Sequence, residues 1–346
     1  MPQTTPDSEL LSVFALFFDE PPASVEIKST GRGESDFREN AIAEWKTGEK
    51  YVLKLADNDF TFPEKIEVWR RCAEEYRRLG YYCPAILRDK KGGFPVVEYR
   101  GRRCAAYAEE YSKYRPLDER ADEGESGFSA SEELMDEAFV MTARVAAQRL
   151  GFSAYPSGYC LFERFCPSDE TDEVLETALE WKRCADTLDG FAQQAGRIWR
   201  RWTENRSALK RLYPSLPTSV FQADLNPTNL LTDESGRLVG LIDFNLCGRD
   251  VLLNYVFREI CWFAESEREL AFILRTLKNM SRVYAFTQDE ITAAPLIYRC
   301  VKPLWQPRLD RLKSAGGDSE KISACLDEIE YMQTSAVDFA LYMRGE

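Results

Sequence analysis

The sequence contains no histidine. That absence removes Ser-His-Asp and Cys-His nucleophilic catalysis, and any zinc or iron centre with imidazole ligands. Chemistry in this chain must use carboxylates, lysine, thiols, hydroxyls or a hard cation held by oxygen. Positive charge is also scarce: 45 Lys and Arg stand against 58 Asp and Glu, a formal net charge of −13 over 346 residues. Nucleic acid and anionic membrane surfaces call for the opposite balance, so neither is expected as a partner. The ten cysteines form no C-x-x-C pair and no tight cluster, a pattern that fits reduced core thiols in a cytoplasmic protein. No long apolar run is present near the start: Leu10 to Phe18 is too short to span a bilayer and follows acidic residues. A G-x-x-x-x-G-K-[ST] phosphate loop is missing as well, so nothing suggests the P-loop fold.

What is present reads as two parts. The length predicts about two domains, and 44% hydrophobic residues suffice for packed cores. After a short helix at 8–18, the pattern predicts strands at 24–29, 41–45 and 51–55, with Thr30-Gly31-Arg32-Gly33-Glu34-Ser35 as a turn between the first two. Pro63 opens a predicted helix that ends at Gly80. Strands at 95–99 and 103–108 complete a small sheet. A polar acidic stretch follows at 116–127, and then helical patterns at 131–150, opening with a Ser129-x-x-Glu132 capping box, and at 173–212, 250–264, 267–284, 289–314 and 319–343. Only 219–244 interrupts them, with β-like runs.

That interruption carries the chemistry. Asp224-Leu225-Asn226-Pro227-Thr228-Asn229 matches D-L-x-x-x-N of the kinase catalytic loop, and Ile242-Asp243-Phe244-Asn245 resembles the start of D-F-G with glycine missing. Phosphoryl transfer needs a carboxylate beside the attacking hydroxyl and a magnesium ion held by oxygens from two nearby segments. Asp224 suits the first part. Asn229 and Asp243 suit the second.

On these two runs the chain resembles the aminoglycoside phosphotransferase/choline kinase group of small-molecule kinases. The resemblance implies an α+β, bilobal, protein-kinase-like fold: a small, mostly antiparallel β lobe with one helix over 1–108, a hinge at 109–111, and a mainly helical lobe over 112–346 with the catalytic loop and the acceptor pocket. It also implies that Lys54 contacts the α- and β-phosphates of ATP or GTP, that backbone around Gly31, Gly33 and Ser35 lies over the triphosphate, and that Glu109 to Tyr111 meet adenine. Asp224 is then the catalytic base, with Asn229 and Asp243 on Mg2+.

Two positions depart from the family pattern. Gln222 stands where the family usually has histidine; it can still donate and accept hydrogen bonds, and is expected to keep the loop's shape. The glutamate that should pair with Lys54 is open between Glu67, favoured by its position on the 63–79 helix, and Glu75, favoured by an apolar stripe of Val68, Cys72 and Leu79. Asp250 reads as the cap of the helix that follows it.

The expected function is transfer of the γ-phosphate of ATP or GTP to a hydroxyl of a small, amine-bearing molecule such as an aminoglycoside, amino alcohol or amino acid. Acidic residues at 118–137 and 163–189 suit a cationic acceptor, as a steering effect. A protein acceptor ranks lower, because Phe244–Asp250 is too short for an activation loop. The alternative from another class is a nucleotide-binding regulatory protein without transfer activity, motivated by Gln222 and Asn245. Oligomeric state is not readable from the sequence.

Overall fold

A computed structural model describes residues 8–118, 131–263 and 265–345. In chain order the elements are α1 (Ser8–Phe17), β1 (Ser24–Ser29), β2 (Phe37–Glu44), β3 (Lys50–Asp57), α2 (Pro63–Arg78), β4 (Ile86–Leu87), β5 (Val96–Tyr99), β6 (Arg102–Glu110) and β7 (Arg115–Pro116). There follow α3 (Glu132–Ala146), α4 (Glu173–Ala185), α5 (Ala192–Leu212), β8 (Ser219–Phe221), β9 (Leu230–Thr232), β10 (Leu238–Leu241) and β11 (Gly248–Asp250). The chain closes with α6 (Leu252–Glu259), α7 (Ser266–Met280), α8 (Gln288–Val301), α9 (Gln306–Ser314), α10 (Ser319–Thr334) and α11 (Ala340–Met343).

The main sheet runs β1-β2-β3-β6-β4, with β5 also on β6, and every pairing is antiparallel. Side chains alternate across a strand, so register decides which residues share a face. Asn40 lies opposite Lys54, Lys54 opposite Tyr107, and Val52 opposite Glu109. Arg38, Asn40, Lys54, Tyr107 and Glu109 therefore belong to one face. Their neighbours Ala41, Ala43, Leu53, Leu55 and Ala106 belong to the other, where Leu10, Val13 and Phe14 of α1 complete a dry core. The sheet is thus apolar toward α1 and polar on its opposite side.

Pro63 starts α2 in the first helical turn, where its missing N–H costs nothing. The helix buries Ile66, Trp69, Cys72, Ala73 and Tyr76, a stripe at helical spacing. Sequence reasoning drew that stripe through Val68, Cys72 and Leu79; Val68 and Cys72 are buried as expected, but Leu79 is exposed and the buried residues include no glutamate. A second small sheet, β10-β9-β7, carries the segment around the two motifs. Here Gly240 is indispensable, since a Cβ at that position would lie 1.7 Å from the Tyr82 carbonyl oxygen.

Contacts divide the chain into two compact units. One contains the described residues up to 118 together with 166–168 and 224–247; the other contains 131–165, 169–223 and 248–345. The 224–229 and 242–245 motifs are thus grouped with the sheet by contacts. Long helical runs are also shorter than expected. The 173–212 run breaks at 186–191, which includes Gly190 at φ +82, and the 289–314 run breaks around Pro303. Ser131 caps α3, accepting from Leu134 N–H at 3.2 Å; Ser129, expected in that role, lies outside the described residues, as does most of the acidic stretch.

Within the second unit Glu269, Lys302 and Arg308 form a fully buried ionic cluster, with Glu269 3.0 Å from Lys302 and 2.8 Å from Arg308. Asp250 is not a helix cap. It ends β11, and α6 begins after Val251, because the Asp250 carboxylate is occupied by Ser157 (2.6 Å), the Val251 N–H (2.7 Å), Asn254 and Tyr213. All ten cysteines are free thiols. No helix among the described residues is long and apolar enough to cross a membrane.

Candidate active site

The polar face of the main sheet forms one wall of a cleft of about 400 Å³, open mouth included, reached by Thr30, Arg38, Lys54, Tyr107, Trp69 and Asp243. Every one of these residues belongs to the first unit. Lys54 projects from β3, and its ammonium lies 2.9 Å from the Glu109 carboxylate. Their side chains are only 19% and 12% exposed. Burial alone would weaken the ammonium's hold on its proton, but Glu109, Tyr107 and Asp243 overcome that and raise its pKa well above the ordinary lysine value.

Neither glutamate weighed from sequence holds Lys54. Glu67 is 2.9 Å from Arg70 and 2.8 Å from Arg88, and Glu75 is 3.0 Å from Arg78. Glu109, expected to meet adenine as part of the hinge, lies on β6 with its carboxylate turned to the lysine. The hinge amides are engaged too: Glu110 N–H donates to the Ala85 carbonyl at 3.0 Å, and Tyr111 N–H to that of Lys50 at 3.1 Å. Strand β6 runs into the predicted hinge and ends at Glu110.

The 224–229 loop is locked by its own side chains. Asn226 donates to Asp224 Oδ1 at 2.8 Å, which orients that carboxylate, and Asn229 donates to the Asp224 carbonyl at 3.1 Å. Asn229 N–H closes the turn on the Asn226 carbonyl at 2.9 Å. Ile242 N–H in turn donates to the Asn229 carbonyl at 2.9 Å, so the two motif segments are stitched together directly before Asp243. Asp243 itself has φ +60, a left-handed conformation that a non-glycine residue adopts at a cost of order 1–3 kcal/mol. Phe244 anchors the next position by packing edge-on against Tyr76 of α2, with centroids 5.8 Å apart. Gln222 is fully buried, and its Oε1 accepts from the Ala223 N–H at 2.9 Å.

Asn229 and Asp243 suit a hard divalent cation, because each offers a side-chain oxygen and the Asn229 amide nitrogen is spent on the Asp224 carbonyl. Among the described residues no group of three or more His, Cys, Asp or Glu could hold a metal alone. Two protein oxygens are what a magnesium ion shared with nucleotide phosphates requires.

The Thr30–Asp36 turn is tightly built. A Cβ on Gly31 would sit 2.3 Å from the Asp36 carbonyl oxygen, so only glycine fits there. Asp36 bonds the Asn58 amide at 3.1 Å and Arg38 at 2.8 Å, while Asn58 Oδ1 accepts from Thr61 N–H at 2.8 Å. Gly33 and Ser35 lie in the same turn, which is tethered through Asn58 to the start of α2. The sequence reading missed Arg38, Trp69 and Tyr107. Arg38 and Tyr107 were recoverable from strand alternation in phase with Lys54; Trp69 needed the correct phase of α2.

The Phosphotransferase enzyme family (APH) matches residues 33–253. No curated protein matches the chain. Among solved structures, a microcompartment-associated aminopropanol kinase is 14% identical, with 94% of this chain and 94% of that chain covered and a TM-score of 0.56. An amicoumacin kinase in complex with AMP-PNP, Ca2+ and Ami is likewise 14% identical, with 96% of each chain covered and a TM-score of 0.54. Likeness at that identity is one of fold, and the fold is the protein-kinase-like one of small-molecule phosphotransferases.

Proposed function

Because the chain belongs to the phosphotransferase enzyme family, we propose that it moves the terminal phosphate of ATP or GTP onto a hydroxyl of a small, amine-bearing molecule. The observation that carries this reading is the hydrogen-bonded unit of Asp224, Asn229 and the segment leading to Asp243, with Lys54 and Asp243 on one cleft.

In this reading Asp224 accepts the proton of the attacking hydroxyl, its carboxylate held in orientation by Asn226. Lys54 grips the phosphate chain as a fixed cation. Asn229 and Asp243 would hold Mg2+, which when bound neutralises charge on the phosphates. Most of the acceleration comes from holding the groups in place and from charges set in advance. The burial of Gln222 and its bond to the Ala223 amide support a braced, working loop over a regulatory protein that has lost activity. The net charge of −13 supports a cationic acceptor.

The test is magnesium-dependent consumption of ATP and of GTP with a panel of aminoglycosides, amino alcohols and amino acids. Turnover with one acceptor class is expected, and Asp224→Asn should lower it by about 10²–10⁴-fold while nucleotide still binds. Wild-type turnover in that variant would remove Asp224 from the mechanism.

A further inference from the structure

In the kinase pattern the strand lysine is held by a glutamate on the neighbouring helix, and the lysine works only while that helix is in place. This chain is built differently. The buried stripe of α2 presents Trp69 to the cleft, only 1% exposed, packed edge-on against Tyr107 with centroids 5.8 Å apart. Its Nε1 has no hydrogen-bond partner among the described residues. Lys54 Nζ lies 5.7 Å from the Tyr107 ring centroid. The α2 glutamates Glu67 and Glu75 are paired with arginines and not with Lys54.

The carboxylate comes from the sheet. Lys54 is registered with Tyr107 and Glu109 with Val52, so lysine and glutamate are diagonal neighbours on the same face, within reach of long side chains. Strand β6 is paired at Glu109 on both sides, to β3 and to β4.

Resting on the phosphotransferase reading, we propose that Glu109 is the positioning residue of the reaction: it orients Lys54 toward the phosphates from within the sheet, and Trp69 occupies the place of a helix glutamate. Lysine and carboxylate are carried by adjacent strands of one hydrogen-bonded ladder. The pair is therefore assembled whatever α2 does, and no displacement of that helix can switch the lysine off.

The experiment compares Glu109→Gln, Glu109→Asp, Lys54→Met and the Lys54→Met/Glu109→Gln double variant in the full chain, with Glu75→Gln as a control. Wild-type turnover across the acceptor panel decides the phosphotransferase reading independently. Given that turnover, Glu109→Gln should lower kcat/KM for nucleotide by about tenfold or more and leave the acceptor KM unchanged. Glu109→Asp should retain more activity, and Glu75→Gln should match the wild type. Loss of the Glu109 charge leaves Lys54 buried with less to hold its proton, so the alkaline limb of the pH profile should move to lower pH. In the Lys54→Met background the Glu109 change should add nothing, because Glu109 acts through Lys54. Multiplicative losses in the double variant, or wild-type kinetics and pH profile in Glu109→Gln, would overturn the proposal. Should the amide variant not fold, Glu109→Asp paired with Lys54→Met carries the same cycle. If the wild type turns over nothing, the reading fails, and affinity for a non-hydrolysable ATP analogue across the same variants decides the coupling by the same criterion.

Discussion

The backbone N–H of Ile242 donates to the carbonyl of Asn229 at 2.9 Å. Each of the two residues assigned to magnesium therefore sits at or beside one end of a single hydrogen bond, and the spacing of their segments does not wait for the ion. Asp243→Asn tests this directly, since asparagine tolerates the left-handed backbone at φ +60 and removes only the charge. Turnover is expected to fall by about a hundredfold or more, with the metal concentration needed for half-maximal rate increased. Thermal unfolding should be nearly unchanged. An unaltered metal dependence would remove Asp243 as a ligand.

Asp250 makes stability depend on pH. Burial pushes its carboxyl up to about 6, against the pull of Ser157, the Val251 amide, Asn254 and Tyr213. The folded state thus binds the proton more tightly than the unfolded chain does. Between about pH 4 and 6 the folded state carries more protons, so this group's contribution is fully present at low pH, falls as pH rises through that window, and is gone above it. The change is on the order of 3 kcal/mol. Denaturant unfolding of wild type and Asp250→Asn at pH 4.5 and 7 reads most of it: the wild type should lose about 2 kcal/mol relative to the variant on going to pH 7. A constant difference would refute the assignment.

Glu269 neutralises two buried cations, Lys302 and Arg308, and Lys302 also donates to the Ile260 carbonyl. Burial lowers the Lys302 pKa while Glu269 opposes that shift. Removing the carboxylate leaves both cations without their main counter-charge. Glu269→Ala is expected to cost about 3–5 kcal/mol, read as a lower denaturation midpoint with an unchanged slope. Lys302→Met should cost less, because Glu269 keeps Arg308.

The strands at 24–29 and 219–221 were legible to the residue, because alternation and flanking turn residues mark them without help from tertiary structure. Asp224, Asn229 and Asp243 were singled out for another reason: phosphoryl transfer calls for those groups at that spacing. The Lys54 partner was not legible. A stripe continued from Val68 and Cys72 to Leu79 takes in Glu75 and passes over Trp69 and Tyr76, and only packing decides between them. Asp250 failed similarly, as its partners Ser157 and Tyr213 lie 93 and 37 residues away in sequence.

The turn over the cleft holds a consequence for binding thermodynamics. Gly31 is pressed against the Asp36 carbonyl, and Asp36 ties the turn through Asn58 to the segment entering α2. A glycine loop that is loose before binding must be frozen by its ligand, and the lost entropy is subtracted from affinity. Here that freezing is done at folding. Nucleotide association should accordingly show a small entropic penalty by calorimetry and little dependence on loop glycine content elsewhere, with affinity set by the phosphates and the two cations, Arg38 and Lys54, beneath the turn.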